Sequence, residues 1–234
     1  MYSETIERLI RNSGFEFKPP TSIGVASLNY LSRLVGAFEN SDTLELDEIM
    51  SWMADSDFGH AESRINNLYL LAKSFGLMDK ENKKYELTDR GKKFRDAMNG
   101  PIGMQDLSDE QKRVLLESLL ERVDTPIKSL IFWFLRFVSI TGGEWVPRSS
   151  TSLSDEKCKF VNLLMGLELN PTSAGNMLNW ACKFCEELEL VHRVERKQEY
   201  DKAVLTSLGS RVHTFLENLL LQKREMIQIP LEAY

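Results

Sequence analysis

Apolar residues recur every three or four positions through most of this chain, which is the spacing of amphipathic helices. After Gly76 in the first half, the pattern changes to a short strand, a polar turn and a second strand. The predicted elements are helices over 25–38, from 42 or 43 to about 53, and over about 60–75, strands over 77–78 and 85–87 around a turn at 79–84, and a helix over 89–98. The predicted order is three helices, a hairpin and a helix.

The second half repeats this order after a break at 99–103. Ser108 and Gln111 have the spacing of a capping box, which predicts a helix through about Arg122. The elements predicted after it are helices over 126–140, 154–167 and 171–188, a strand over 189–195, a turn over 196–201, a strand over 203–205 and a helix from Thr206 to about Lys223, with 144–152 as a loop. The chain therefore contains the same series of elements twice.

A short motif marks the same place in both series. Residues 85–94 are YELTDRGKKF and residues 203–212 are AVLTSLGSRV, so Leu-Thr is followed by Gly three residues after Thr in each. Threonine ends the strand and caps the next helix, and a glycine in the first turn allows that helix to lie close to the sheet. The motif predicts two copies of one small fold.

The element order and the two LTxxG turns resemble the winged-helix superfamily, over roughly 22–98 and 126–223. The resemblance implies a mainly α protein with small β-hairpins, in which two tandem winged-helix units are joined by a helical linker. The expected division is 1–100 for the first unit with its leading helix, 101–125 for the linker, and 126–234 for the second unit with an extended tail. We expect DNA or partner proteins to be the ligands of such a scaffold.

In winged-helix proteins the third helix often enters the major groove of DNA and the hairpin contacts phosphates. By this resemblance, the candidate DNA-binding residues of the first unit are His60, Ser63, Arg64, Asn67 and Lys73 on the helix and Lys80, Lys83 and Lys84 on the hairpin. Residues 60–95 contain nine Lys/Arg and five acids, a balance of +4, whereas residues 1–59 contain four and ten, a balance of -6. The positive charge is thus concentrated in the segment that would face DNA, although a solvated face with lysines on a turn is the alternative.

The corresponding candidates in the second unit are Asn176 and Asn179 on the helix, and Arg193, Arg196 and Lys197 on the hairpin. Asparagine can contact adenine edges, but it is also common on exposed helices. The hairpin also carries Glu195, Glu199 and Asp201. Protein contact is therefore favoured over DNA contact for this unit.

Two features of the second half favour partner proteins or self-association. The helix over 127–140 carries more aromatic residues than one helix face can cover, so it is either deeply buried or docked on a partner. The tail from Ile227 is apolar enough to dock on another chain. The candidate partner-binding residues are Phe132, Trp133, Phe137, Ile229, Leu231 and Tyr234.

Catalytic and metal motifs are not found in the sequence. The three histidines stand in no metalloprotease or nucleophile pattern, and no phosphate-binding glycine loop occurs. Cys182 and Cys185 form a CxxC without a second pair, and we expect them in a helix core rather than on zinc. The acids between Glu45 and Asp57 lack a calcium-loop spacing and predict a solvated helix face. We therefore expect a protein without catalytic residues, metal or cofactor.

The bulk composition restricts the remaining choices. The chain has 234 residues, a net charge of -6, 42% hydrophobic residues and three cysteines, and no signal peptide or membrane span is visible. These values favour a cytoplasmic protein without membrane contact and disfavour binding to nucleic acid through overall charge alone. The function predicted is a non-enzymatic DNA-binding or accessory subunit of a multi-protein DNA-handling complex, with double-stranded DNA and other subunits as partners. The alternatives are a protein–protein adaptor, similar to subunits of SMC-type chromosome and plasmid-defence complexes, and a stand-alone transcriptional regulator.

Overall fold

A computed structural model describes residues 27–54, 62–98, 106–121, 125–148, 151–196 and 199–227, and of 54, 62 and 219–227 only the backbone. These residues form two compact units, one within 20–123 and the other within 124–234. Both units are mainly helical, and each contains a small three-stranded antiparallel sheet. No helix in the described ranges is long and apolar enough to cross a membrane.

The first unit runs from α1 to α5. Its elements are α1 (Tyr30–Gly36), β1 (Thr43–Glu45), α2 (Leu46–Ala54), α3 (Glu62–Ser74), β2 (Met78–Glu81), β3 (Lys84–Leu87), α4 (Asp89–Asp96) and α5 (Asp109–Glu121). The sheet order is β1–β3–β2, so β3 lies in the middle and pairs with both other strands. The core consists of the apolar faces of the helices, with Leu34, Leu68 and Phe94 fully buried.

Helix α5 lies in the segment expected to be a linker, and it packs on the first unit. Its capping box forms as expected, because Ser108 Oγ accepts from Gln111 N and Gln111 Oε1 accepts from Ser108 N, both at 3.1 Å. The buried Gln111 amide also donates to Phe94 O at 3.2 Å, and Ser118 Oγ donates to Phe75 O at 2.8 Å. These hydrogen bonds satisfy carbonyls of the first unit, so α5 is part of that unit.

The second unit has the same order of elements. They are α6 (Pro126–Thr141), β4 (Val146–Pro147), α7 (Asp155–Met165), α8 (Pro171–Glu187), β5 (Val191–Val194), β6 (Tyr200–Leu205) and α9 (Ser207–Ile227). The sheet order is β4–β6–β5, so the last strand, β6, again lies in the middle. Helices α6 and α8 both begin with a proline that follows a capping residue, Thr125 and Asn170 respectively.

Helix α6 is buried on all sides, since every residue from Ile127 to Val138 is buried. Phe132 and Trp133 are each 2% exposed, and Phe137 is fully buried with its ring edge-on to Trp145 at 4.8 Å. These three side chains were predicted to bind a partner, and that prediction is wrong because they are already covered within the chain. Deep burial, the other explanation for an aromatic helix, is correct.

The strands differ from the sequence prediction in extent. The stretch 79–84 was expected to be a turn, but only Asn82 and Lys83 form it, between paired strand residues Glu81 and Lys84. The edge strands β1 and β4 were not predicted at all. They are short and are held only by pairing with β3 and β6, so they have no periodicity of their own to reveal them.

Candidate nucleic-acid interface

Helix α3 presents a mostly polar face to solvent. Ser63, Asn66, Asn67, Leu70 and Lys73 are three or four residues apart and therefore share this face. Ser63, Leu70 and Lys73 are exposed and the two asparagines are half-buried, while the opposite face enters the core. The structure thus brings together the predicted contacts Ser63, Asn67 and Lys73, and it adds two residues that the sequence did not single out.

Arg64 is exposed near the start of α3, beside this face rather than at its centre. His60, the remaining candidate from this helix, lies outside the described residues, as does Lys197 in the second unit. Ile229, Leu231 and Tyr234, predicted as partner contacts in the tail, also lie outside them.

The β2–β3 hairpin is fastened to α3 through one tyrosine. Lys80 Nζ donates to Tyr85 Oη at 2.8 Å, and the Tyr85 hydroxyl donates to Asn66 Oδ1 at 3.3 Å. The Tyr85 ring is fully buried, stands edge-on to Tyr69 at 5.2 Å, and carries the Lys80 ammonium 4.3 Å from its centroid. This chain of contacts places a hairpin cation beside the outward face of α3.

Two of the candidate lysines have acidic neighbours on the surface. Lys84 Nζ lies 3.6 Å from Glu45, and Lys73 Nζ lies 3.8 Å from Asp79. A hydrogen bond to Tyr69 Oη at 3.3 Å is the main reason that the pKa of Lys73 is raised, so this group stays charged. Exposed pairs of this kind are weak, so both lysines remain available to a stronger anion.

Lys83 occupies the tip of the hairpin. It is exposed and has no ion-pair partner among the described residues. Asn82 and Lys83 both have positive φ, 48° and 69°, which is the backbone of a two-residue hairpin turn of type I′. Asparagine tolerates this conformation better than lysine does, so the turn holds a cation at a position where glycine would be less strained.

The hairpin of the second unit uses its cations internally. Arg193 donates to Asn179 Oδ1 at 3.0 Å, lies 3.3 Å from Glu186, and has only 18% of its side chain exposed. Its guanidinium is also 3.9 Å from the carboxylate of Asp201, which is buried and accepts from Arg148 Nε at 2.9 Å. Arg193 and Asn179, which were predicted to contact DNA, both belong to this half-buried network, and their contact with DNA stays a prediction.

Arg196 is likewise paired, with Glu144 at 2.6 Å, and Lys202 contacts the same carboxylate. The hydrogen bonds from Arg196 and Lys202 hold the pKa of Glu144 at about 2, well below its ordinary value of 4.5. The prediction that Arg196 is available for phosphate contact is therefore not supported by its surroundings. Asn176 remains half-buried on α8.

The two units can be compared residue by residue because Gly76 and Glu189 both have positive φ after the third helix. Counted from these residues, Asn66 corresponds to Asn179 and Lys80 to Arg193. Each unit therefore fastens a cation of its first hairpin strand to an asparagine of its third helix, through Tyr85 in one and directly in the other. We call this contact between a hairpin cation and an asparagine of the third helix the tether. It occurs in both units and was not predicted from the sequence.

The remaining outward positions differ in chemistry. The positions of Asn67, Leu70 and Lys73 in α3 are occupied in α8 by Trp180, Lys183 and Glu186. At these three positions the first unit therefore carries an amide, a leucine and a lysine, and the second carries an aromatic ring, a lysine and a carboxylate.

Cys158, Cys182 and Cys185 are free and buried, which confirms the core position expected for Cys182 and Cys185. Burial raises the pKa of Cys182 to about 12 and raises the pKa of Cys185 as well. A thiol with a raised pKa is a poor nucleophile and a poor metal ligand. Within the described ranges, no group of three or more His, Cys, Asp or Glu residues could hold a metal ion.

Comparisons with known proteins give one solved structure to report. No family model matches the chain, and no curated protein matches its sequence. The restriction endonuclease FokI matches with 13% sequence identity and a TM-score of 0.45. The match covers 90% of this chain and 45% of that chain, so this chain spans less than half of the endonuclease. A TM-score this low assigns neither a ligand nor an activity to this chain.

This comparison corrects one expectation. The sequence predicted a protein without catalytic activity, whereas the matching structure reported above is that of an enzyme. The prediction of a non-enzymatic protein is therefore withdrawn. Because the likeness is low, no reaction takes its place.

Proposed function

We propose that this chain binds duplex DNA through its first unit and acts as a subunit of a multi-protein DNA-handling complex, with both units folded as winged helices. In each unit three helices precede a β-hairpin and a further helix, which is the order on which the resemblance rests. The edge strands β1 and β4 extend the likeness between the two units, because each pairs with the last strand of its own hairpin.

The observation that carries the DNA proposal is the tether between hairpin and third helix in the first unit. Tyr85 holds the Lys80 ammonium beside Asn66. Cations therefore lie along the outward face of α3, whose side chains carry amide and hydroxyl groups. A polar helix face can enter the major groove, and neighbouring lysines can contact the phosphates on either side. In this arrangement Ser63, Arg64 and Asn67 approach base edges, and Lys73, Lys80, Lys83 and Lys84 approach the backbone.

The test is a salt titration of duplex binding with Lys83→Gly. This substitution removes the cation at the hairpin tip and places glycine after Asn82, which is the preferred pair for this turn. We expect stability to rise by about 0.5 to 1 kcal/mol, since glycine is unstrained at positive φ. Affinity should fall, and the slope of log affinity against log salt should decrease by about 0.9, the value for one lost phosphate contact.

Lys159→Ala is the matched control. Lys159 is exposed on α7 in the second unit and has no ion-pair partner among the described residues. Its replacement changes the net charge equally and should leave the salt slope unchanged. If Lys83→Gly is stable and binds a short duplex as tightly as the unmodified protein does, with the same salt slope, the proposal fails.

A second candidate function, protein contact by the second unit, is favoured by its sheet. Val194 and Val204 are 45% and 42% exposed and lie on the same face of β5 and β6, since Val194 pairs with Lys202 and Val204 with His192. The neighbouring cations are already paired with acids, so this face is less suited to DNA. Sedimentation of the full chain tests self-association through this face, because Val194→Lys should convert a dimer to a monomer.

A further inference from the structure

Leu70 lies in the middle of the outward face of α3 and is 45% exposed. It is the only large apolar side chain of the described first unit with this much exposure. Its neighbours one turn away are Asn66, Asn67 and Lys73, all polar. Single exposed leucines are common on surfaces, so position rather than exposure makes this one informative.

The surroundings of Leu70 favour a polyanionic ligand with an apolar spot. Lys73 is on the adjacent turn, and Asn66 is joined through Tyr85 to the ammonium of Lys80. The cores of protein–protein interfaces are depleted in lysine, which argues against a protein on this face. The major groove of DNA has negative potential and exposes one apolar group at its base edges, the C5-methyl of thymine.

We infer that Leu70 contacts a pyrimidine C5-methyl group in the major groove, and that it gives the first unit a preference for duplexes carrying that methyl. This inference rests on the DNA binding proposed above. Thymine supplies the methyl in ordinary DNA, and 5-methylcytosine presents it at the same ring position. Asn67, on the adjacent turn, is placed to bond the edge of a neighbouring adenine.

The experiment compares duplexes that differ only by the methyl group. Affinity of the full chain is measured for alternating dA-dT against alternating dA-dU, and for alternating dG-dC against the same duplex with 5-methylcytosine. Covering a methyl group with Leu70 should favour the methylated duplex about fourfold, the equivalent of one buried CH₂. A preference in the first pair identifies thymine as the source, and a preference in the second shows that 5-methylcytosine is also accepted.

The variant Leu70→Ala separates the leucine contact from any difference in duplex stiffness. Alanine is the best helix former and the position is exposed, so the fold is retained. We expect Leu70→Ala to bind the methylated and the unmethylated duplex with nearly equal affinity. The slope of its log affinity against log salt should stay unchanged. Lys73→Gln should instead weaken binding to all duplexes equally, and Phe215→Ala, at a residue 46% exposed in the second unit, should change nothing.

The outcomes distinguish this inference from the proposed function. If the protein binds duplexes with a steep salt slope but has no methyl preference, or if the preference persists in Leu70→Ala, the role of Leu70 is overturned and DNA binding stands. If the protein binds no duplex in a salt-dependent manner, both are overturned. A preference that is lost in Leu70→Ala and kept in Phe215→Ala supports the inference.

Discussion

Thr88 and Thr206 occupy equivalent places at the ends of β3 and β6. Thr88 Oγ1 donates to Gly76 O at 2.6 Å and accepts from Gly91 N at 3.0 Å. Thr206 Oγ1 donates to Glu189 O at 2.7 Å and accepts from Gly209 N at 2.9 Å. One hydroxyl therefore joins the end of the third helix to the start of the last helix in each unit, which explains why threonine stands at both positions.

The glycines of this motif are required for close approach rather than for turn conformation. A Cβ on Gly91 would lie 2.0 Å from Leu77 O, and one on Gly209 would lie 1.8 Å from Leu190 O. We expect Gly91→Ala and Gly209→Ala each to lower the free energy of unfolding by about 3 kcal/mol, because backbone must move to relieve the overlap. Urea denaturation measures this loss.

Gly142→Ala is the control for these glycine substitutions. Gly142 has a φ of 65°, and its nearest neighbour to an added Cβ is Glu144 Cγ at 3.9 Å. Only the left-handed backbone opposes alanine there, at a cost of about 1 kcal/mol. Equal losses for all three variants would contradict the explanation by close approach.

At the scale of elements, the hairpins differ in how they are secured. In the first hairpin, the hydroxyl of the buried Tyr85 is hydrogen-bonded to the half-buried Asn66 of α3 and to the exposed Lys80. The second hairpin has a buried carboxylate, Asp201, between Arg148 and Arg193, and an exposed one, Glu144, between Arg196 and Lys202. The cations of the second hairpin thus lie beside carboxylates, whereas Lys83 of the first hairpin is exposed without an ion-pair partner among the described residues.

The ion pairs of Glu144 predict a pH dependence of the second unit. Its pKa in the folded chain, about 2, lies below the ordinary value of 4.5. The carboxylate therefore contributes stability at pH values above 4.5, and this contribution is lost as the pH falls towards 2. At pH 6 the melting temperature of the unmodified protein should be higher than that of Glu144→Gln. The two melting temperatures should converge as the pH is lowered to about 2. A constant difference across this window would show that the pairs do not stabilise the fold.

At the scale of the whole molecule, every cysteine lies in the second unit. Cys158, Cys182 and Cys185 are buried there, so a thiol reagent reaches them only when that unit opens. The rate of cysteine labelling can therefore show which of the two glycine variants opens the second unit. Labelling of the native protein should be about a hundredfold faster in Gly209→Ala, the opening expected from a loss of 3 kcal/mol.

Gly91→Ala is the matched variant for the labelling experiment, since it disturbs the equivalent turn in the first unit. Its effect on the labelling rate should be smaller than that of Gly209→Ala. Equal acceleration in both variants would mean that the chain opens as one cooperative body rather than unit by unit.

Helix periodicity and the LTxxG motif were enough to predict a mainly helical chain in two similar halves. These signals are local, because a helix displays its buried face in residues three and four apart and a capped turn within four. For the same reason, the capping box of Ser108 and Gln111 and the burial of Cys182 and Cys185 were predicted correctly. It also explains why β1 and β4 were missed, since a two- or three-residue edge strand depends on its partner strand.

Tertiary structure decided which polar residues are available. Arg193 and Lys80 occupy equivalent places along the chain. Arg193 nevertheless lies beside the carboxylates of Glu186 and Asp201, whereas the Lys80 ammonium lies over the Tyr85 ring. Leu70 resembles the other leucines of α3, and only the packing of the helix leaves it outside. Availability depends on residues far apart in sequence, which no local pattern records. The sequence by itself therefore determined that two similar units form, and their packing determined which polar side chains of each unit are exposed.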